Sequence, residues 1–333
     1  MPRFSVIVPV YNRPDEVRDL LDSLLKQTSR DFEVIIVEDG STIPCRMQCE
    51  QASAQGLDVK YFYKDNEGRS IARNYGIERA AGDYFIFFDS DCVIPPEYFA
   101  IVARELDKHP VDCFGGPDAA HSSFSSTQKA INYTMTSFLT TGGIRGGKVS
   151  LEKFTPRSFN MGYSRNVWES VGGFREMFSE DIDMSTRIRQ GGFTLSLIPE
   201  AKVWHKRRVD FGKFLRQVYV FGMSRITLKL LYPDSLKAVH MLPAIAVILA
   251  AVIILLAIFV SPWWLMAFAV YIAAVFVLAL ISTHSVIIAF KAIPAALIQI
   301  GGYGCGFIKA WFTKILLGRG RDINQEIAMR KGK

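Results

Sequence analysis

The chain has 333 residues and a formal net charge of +7, enough length for one large or two moderate domains. Residues 1–200 carry 22 Lys+Arg against 28 Asp+Glu, a net −6, which excludes a nucleic-acid-binding surface in that part. Residues 201–237 carry nine basic and two acidic side chains and residues 309–333 carry seven and two, while Ala238 to Phe290 holds no charged residue. A charge-free apolar run between basic flanks is the pattern of membrane segments with cytoplasmic flanks, so the chain reads as a soluble part and a membrane part. Residues 4–10 are too short for a signal-peptide core. The five cysteines form no Cys-x-x-Cys pair, which suits reduced thiols in a cytosolic domain rather than a secreted protein.

Residues 4–10 form a β-branched run that predicts a strand. A turn follows at Tyr11, Asn12 and Arg13, and Pro14 with Asp15 and Glu16 sets up a helix start. Val17, Leu20, Leu21, Leu24 and Leu25 then recur at helical spacing. A second strand over 32–37 ends in Glu38 and Asp39, a third covers 59–63, and a helix covers 71–80. The apolar run 84–88, bounded by Gly82 and Pro95, predicts a strand buried on both faces. It ends in Asp89, Ser90 and Asp91. Strand and helix alternating with short connections predict an α/β fold with a mainly parallel sheet.

In such a sheet ligands bind beyond the carboxyl ends of the strands. Asn12, the Glu38–Asp39 pair and the Asp89–Asp91 pair all fall there, which points to a nucleotide site. Two carboxylates one residue apart repel each other unless a cation lies between them. Mg²⁺ or Mn²⁺ carrying a diphosphate meets that need. A plain helix N-cap at Asp91 is the alternative.

The motifs SVIVPVYN over 5–12, VEDGST over 37–42, NEGRSIARNYG over 66–76 and DSD over 89–91 resemble the family 2 glycosyltransferases, over about residues 3–215. The resemblance implies a GT-A, Rossmann-like fold binding a nucleotide sugar, with Pro9, Tyr11, Asn12, Asp39, Arg73, Asp89 and Ser90 on the nucleotide side. Asp39 would hydrogen-bond the base, most often uracil, and Asp91 would be a metal ligand. Glu38 stands where the family often has an Asp. A helix-surface ion pair is the other reading of Arg73.

Residues 121–141 are rich in Ser, Thr and aromatics without a clean period. TGGIRGGK over 141–148 is either an active-site lid or a plain surface loop. NMGYSRNVWESVGGF over 160–174 is similar to the family's acceptor-side segment, which places Gly162 and Trp168 near acceptor or sugar. SEDID over 179–183 opens a helix, with Ser179 as a candidate N-cap. Attack by an acceptor hydroxyl needs a general base within hydrogen-bond reach. The resemblance assigns that role to Asp181, with Glu180 orienting the acceptor. In VWHKRR over 203–208, His205 would complete the metal site, while Lys206 and Arg208 would neutralise the diphosphate or meet anionic headgroups.

These features divide the chain into a catalytic domain over 1–208, a basic amphipathic interface helix over 209–237, a membrane region over 238–308 and a basic cytoplasmic tail over 309–333. Residues 241–260 and 263–281 are each long enough to span a bilayer. Pro294, Gln299 and four glycines make 285–308 a weaker or re-entrant third segment. The resemblance implies an inverting transferase, moving sugar from a nucleoside diphosphate to a hydroxyl of a lipid-linked or membrane-associated glycan in cell-surface glycan assembly. Its expected place is the inner membrane of a bacterium, with the catalytic domain cytoplasmic. Transfer to a polyprenyl phosphate and a non-catalytic nucleotide-sugar-binding scaffold are the alternatives.

Overall fold

A computed structural model describes residues 3–119, 124–141, 154–205 and 210–319. The chain falls into two compact units, one of 1–121 with 154–206 and one of 122–153 with 207–328. The described part of the second unit therefore includes 124–141, which the sequence division at 208 placed with the sheet domain.

The first unit opens with β1 (Phe4–Val10), α1 (Pro14–Leu24), β2 (Phe32–Asp39), α2 (Arg46–Ala54), β3 (Val59–Lys64), α3 (Arg69–Ile77) and β4 (Tyr84–Phe87). There follow β5 (Cys92–Val93), α4 (Tyr98–Lys108), β6 (Cys113–Gly115) and β7 (Asp118–Ala119). After the helices α5 (Ser126–Thr136) and α6 (Phe138–Thr141) of the second unit, the chain returns as β8 (Met161–Ser164), α7 (Arg165–Val171), α8 (Glu180–Gln190), β9 (Leu195–Leu197) and β10 (Val203–His205). The main sheet runs β3-β2-β1-β4-β8-β6-β9. Its first four strands are parallel, and β8 lies antiparallel between β4 and β6. The expected mixed, mainly parallel sheet is present.

Alternation along the central strands builds two cores. Val6, Val8, Val34, Ile36, Ile86 and Phe88 pack with α1 and α4. Ile7, Ile35, Val37, Phe85 and Phe87 pack with α3, α7 and α8 on the other face. Strands buried on both faces need continuous apolar sequence, which β1, β2 and β4 have. Gly76 lets α3 approach closely, because a Cβ there would lie 2.6 Å from Ile7 Cγ2. Strand order reverses at β1, with β2 on one side and β4 on the other, so a switch-point crevice opens beyond their carboxyl ends. A small second sheet, β5-β10-β7, pairs residue 205 with Cys92, which brings β10 next to Asp91.

The second unit is helical, with α9 (Phe211–Leu231), α10 (Ala238–Phe259), α11 (Met266–Thr283) and α12 (Val286–Ala310) besides α5 and α6. Three helical stretches, Ala238–Phe259, Pro262–Thr283 and Val286–Leu316, are long and apolar enough to cross a membrane. The third includes the segment expected to be weaker or re-entrant; there α12 runs unbroken through Pro294 and continues as a π-helical turn, Trp311–Leu316. Three of its glycines, Gly302, Gly304 and Gly306, are packing devices. A Cβ on Gly306 would lie 2.1 Å from the Tyr219 carbonyl oxygen, and one on Gly304 would lie 2.5 Å from that of Pro243. Gly222 of α9 meets the Tyr303 carbonyl oxygen at 2.0 Å in the same sense. Small residues that let helix backbones touch are how apolar helices associate without a hydrophobic drive between them.

Candidate active site

The crevice is built from the ends of β1, β2 and β4 and the start of α8. Asn12, in the turn after β1, has φ 54°, a left-handed conformation that Asn tolerates better than most residues. Its Oδ1 accepts from Thr42 N (2.8 Å), Thr42 Oγ1 (3.1 Å) and Ile43 N (3.0 Å), and its own N–H donates to Ser41 Oγ (2.7 Å). The side chain thus ties the β1 turn to the β2 turn. Glu38 is buried beneath, its Oε2 accepting from Cys45 N (2.8 Å), Cys45 Sγ (3.0 Å) and Tyr61 OH (3.2 Å). It ties β2 to the start of α2 and to Tyr61 of β3.

Asp39 accepts at Oδ1 from Lys64 Nζ (2.8 Å) and Glu67 N (3.0 Å), and at Oδ2 from Gly68 N (2.9 Å). It folds the 65–68 loop over itself. Burial alone would lower the Lys64 ammonium pKa, but bonds to Asp39 and Glu67 hold it above its ordinary value.

At the end of β4, Asp89 pairs with Arg73 of α3 (Nη2 to Oδ1, 2.7 Å) and Asp91 with Arg13 (Nη1 to Oδ2, 3.2 Å). The second pair bridges the β1 and β4 sides of the switch point. Arg73 is wholly buried, and its Nη1 donates to Glu180 Oε1 at 3.0 Å. Glu180 also accepts from Arg69 Nη2 (2.7 Å) and Ser158 Oγ (3.2 Å). One guanidinium therefore joins the Asp89–Asp91 element to the start of α8. Asp181, the next residue, accepts from Arg157 (3.4 Å) and from Ile182 N (2.8 Å). Ser179 precedes the helix at φ 64° and makes no side-chain cap, so the N-cap expected of it is not formed that way. Asp183 is buried between Arg175 (3.2 Å) and Arg187 (2.9 Å).

The remaining expected positions lie as follows. Pro9 pairs with Val37 inside the sheet, Tyr11 is half exposed, and Ser90 is buried. Gly162 opposes Ile86 and Phe114 in the sheet, and a Cβ there would lie 2.4 Å from the Phe114 ring. Trp168 packs edge-on against Phe85 at 6.0 Å. These last two belong to the packing of the sheet, apart from the carboxylates. The His205 side chain, Lys206, Arg208 and residues 142–148 lie outside the described residues. The sequence reading missed Arg13, Arg69 and Arg157. Arg69 and Arg73 stand at i and i+4 of one helix, a spacing that puts both on one face; Arg13 and Arg157 carried no such signal.

Among the described residues no three His, Cys, Asp or Glu side chains converge as a metal cluster. Asp89 and Asp91 supply carboxylate oxygens, the donors a hard divalent cation takes. The Cys92 thiol beside them is pushed well above its ordinary pKa, first by burial and then by Asp91 and Asp89.

A family model described as Glycosyl transferase family 2 matches residues 5–172, half of the chain. The chain belongs to glycosyl transferase family 2. Glycosyltransferase GlyA of Streptococcus pneumoniae is 34% identical over 110 residues, 33% of this chain and 16% of that protein. An uncharacterized glycosyltransferase of Bacillus subtilis, EpsJ, is 33% identical over 115 residues, 34% of this chain and 33% of that protein. The chain thus matches only a third or less of the length of these relatives. A mannosyltransferase from Pyrobaculum calidifontis, solved in complex with GDP-Man and Mn²⁺, superposes with a TM-score of 0.58 at 18% identity, over 94% of this chain and 88% of that one. That likeness is one of fold, of the GT-A type. The family 2 match covers β1 through α7, and so includes Asn12, Asp39, Arg73, Asp89 and Asp91 but not Asp181.

Proposed function

We propose that the protein transfers a sugar from a nucleoside diphosphate to a hydroxyl of a membrane-associated, lipid-linked saccharide, with inversion at the anomeric carbon. The observation that carries this reading is the Arg73 bridge between Asp89 and Glu180. It links Asp89, one of the proposed donor-side carboxylates, to Glu180, the residue before the proposed base.

A carboxylate offers about four lone-pair positions. Asp39 uses three, leaving one on Oδ2 for the imino N–H of a uracil base. Asp91, with Asp89, would hold Mg²⁺ or Mn²⁺. When bound, the ion supplies positive charge to the departing diphosphate. Arg13 and the basic run at 206–208 add cationic side chains for the same anion. Asp181, on α8 next to the bridged Glu180, takes the proton of the acceptor hydroxyl as it attacks. Arg157 at 3.4 Å keeps that carboxylate oriented. The apolar helices would anchor the protein in a bilayer, and the net +7 segment over 201–237 before α10 puts the sheet unit on the cytoplasmic side.

The test is a panel of nucleotide sugars with Mn²⁺ and membrane lipid extract, comparing wild type with Asp181→Asn. Transfer to lipid by wild type, with a variant that binds nucleotide but is slowed about 10²-fold or more, supports the assignment. A variant that transfers normally removes Asp181 as base and favours an acceptor already ionised, a polyprenyl phosphate. Absence of both transfer and hydrolysis in wild type would favour the scaffold reading.

A further inference from the structure

Within the helical unit, α9 and α12 enclose a groove of about 350 Å³, a volume at the lower end of ligand-sized cavities. Leu215, Arg216 and Tyr219 form one wall, and Gly301, Gly302 and Cys305 the other. Gly301 differs from the other glycines of α12. A Cβ on Gly302, Gly304 or Gly306 would strike a neighbour, whereas one on Gly301 meets nothing within 4 Å. Its missing side chain leaves open space in an apolar wall rather than a close helix contact.

Charge indicates what fills that space. Helix α9 carries Lys213, Arg216, Arg225 and Lys229 and no Asp or Glu. Among the described residues Arg216 has no ion pair or hydrogen bond. Lys309, four residues beyond Cys305, holds its ammonium 5.8 Å from the centre of the Tyr219 ring. An apolar trough edged by two cations, in a unit of helices apolar enough to cross a membrane, is complementary to an amphiphile with an anionic head.

We propose that this groove binds an anionic phospholipid of the surrounding bilayer, one acyl chain lying along Gly301 and Leu215 and the phosphate against Arg216. A long basic side chain beside an apolar wall buries its stem and presents its charge at headgroup level. The lipid then fills a seam that the helices leave open, and the α9–α12 pair is complete only in a membrane containing anionic lipid.

Native mass spectrometry of the full chain, released from nanodiscs of phosphatidylcholine with or without phosphatidylglycerol, reads the bound lipid directly. Wild type should retain phosphatidylglycerol in preference to phosphatidylcholine. Arg216→Gln should lose roughly fivefold of that preference, the factor given by about 1 kcal/mol per basic side chain at a membrane surface. Gly301→Leu places a side chain in open space and should lose retained lipid of both kinds. Cys305, the exposed one of the five cysteines, gives a second readout, since its alkylation should slow when phosphatidylglycerol is present in wild type but not in Gly301→Leu. Equal retention of the two lipids by wild type overturns the proposal, as does unchanged retention and alkylation in both variants. Neither readout involves turnover, so the result is independent of the glycosyl-transfer reading.

Discussion

Arg73 carries a full positive charge with no solvent exposure, between Glu180 at 2% and Asp89 at 34% side-chain exposure. Removing it leaves Glu180 a buried anion whose remaining partners among the described residues are the half-exposed Arg69 and the Ser158 hydroxyl. Loss of one partner from a buried pair costs on the order of 3–5 kcal/mol. Arg73→Met should therefore destabilise the full chain by about that amount in denaturant unfolding followed by near-ultraviolet circular dichroism. Arg73→Lys should recover only part of it, because an ammonium lacks the fork that spans two carboxylates. An Arg73→Met variant as stable as wild type would show that the bridge is not formed. The carboxylates were legible in sequence because each ends a strand or opens a helix. Their cations were not. Arg13 meets Asp91 across 78 positions and Arg73 meets Glu180 across 107, and no local periodicity encodes pairings of that span.

Strands and helices of the sheet unit followed from their apolar spacing, since burial on two faces leaves few residue types available. The polar clasp beneath them did not. Glu33 of β2 is fully buried and accepts from Lys60 Nζ (2.6 Å), Ser5 Oγ (2.6 Å) and Ala81 N (2.5 Å), tying β1, β2, β3 and the turn before β4. Burial by itself would raise the carboxyl pKa, but these donors, Lys60 foremost, hold it below the ordinary value. Its contribution to stability is present above the usual carboxylate range and is lost as pH falls through the depressed folded value. Acid unfolding of Glu33→Gln should show a shallower loss of stability below about pH 4 than wild type. A variant with the wild-type acid limb would remove Glu33 from that role. Helix α5 was also missed, its Ser, Thr and aromatic composition hiding the period. Its signal was a capping box, in which Ser125 and Gln128 reciprocally satisfy each other's backbone N–H.

At the scale of the whole chain, hydropathy alone marks the helical unit, but it does not say what the glycines of α12 do. Close backbone approach is the physical reason those glycines are there, and it shows only when the partner helix is in place. Gly222→Leu should cost the α9–α12 packing about 1–3 kcal/mol or more through overpacking. It should lower the thermal midpoint of the helical unit while nucleotide-sugar binding by the sheet unit persists. Loss of nucleotide binding in step with the lowered helical midpoint would contradict the separation into two units. The membership of 124–141 in the helical unit was not readable, because the chain leaves the sheet unit after β7 and rejoins it before β8.

The two arginine bridges at the crevice differ in their access to dissolved ions. Arg13 and Asp91 have side chains 37% and 13% exposed, whereas Arg73 and Glu180 are at 0% and 2%. Counter-ions screen charges they can approach and hardly affect those they cannot. Rising ionic strength should therefore weaken the Arg13–Asp91 pair more than the Arg73–Glu180 pair.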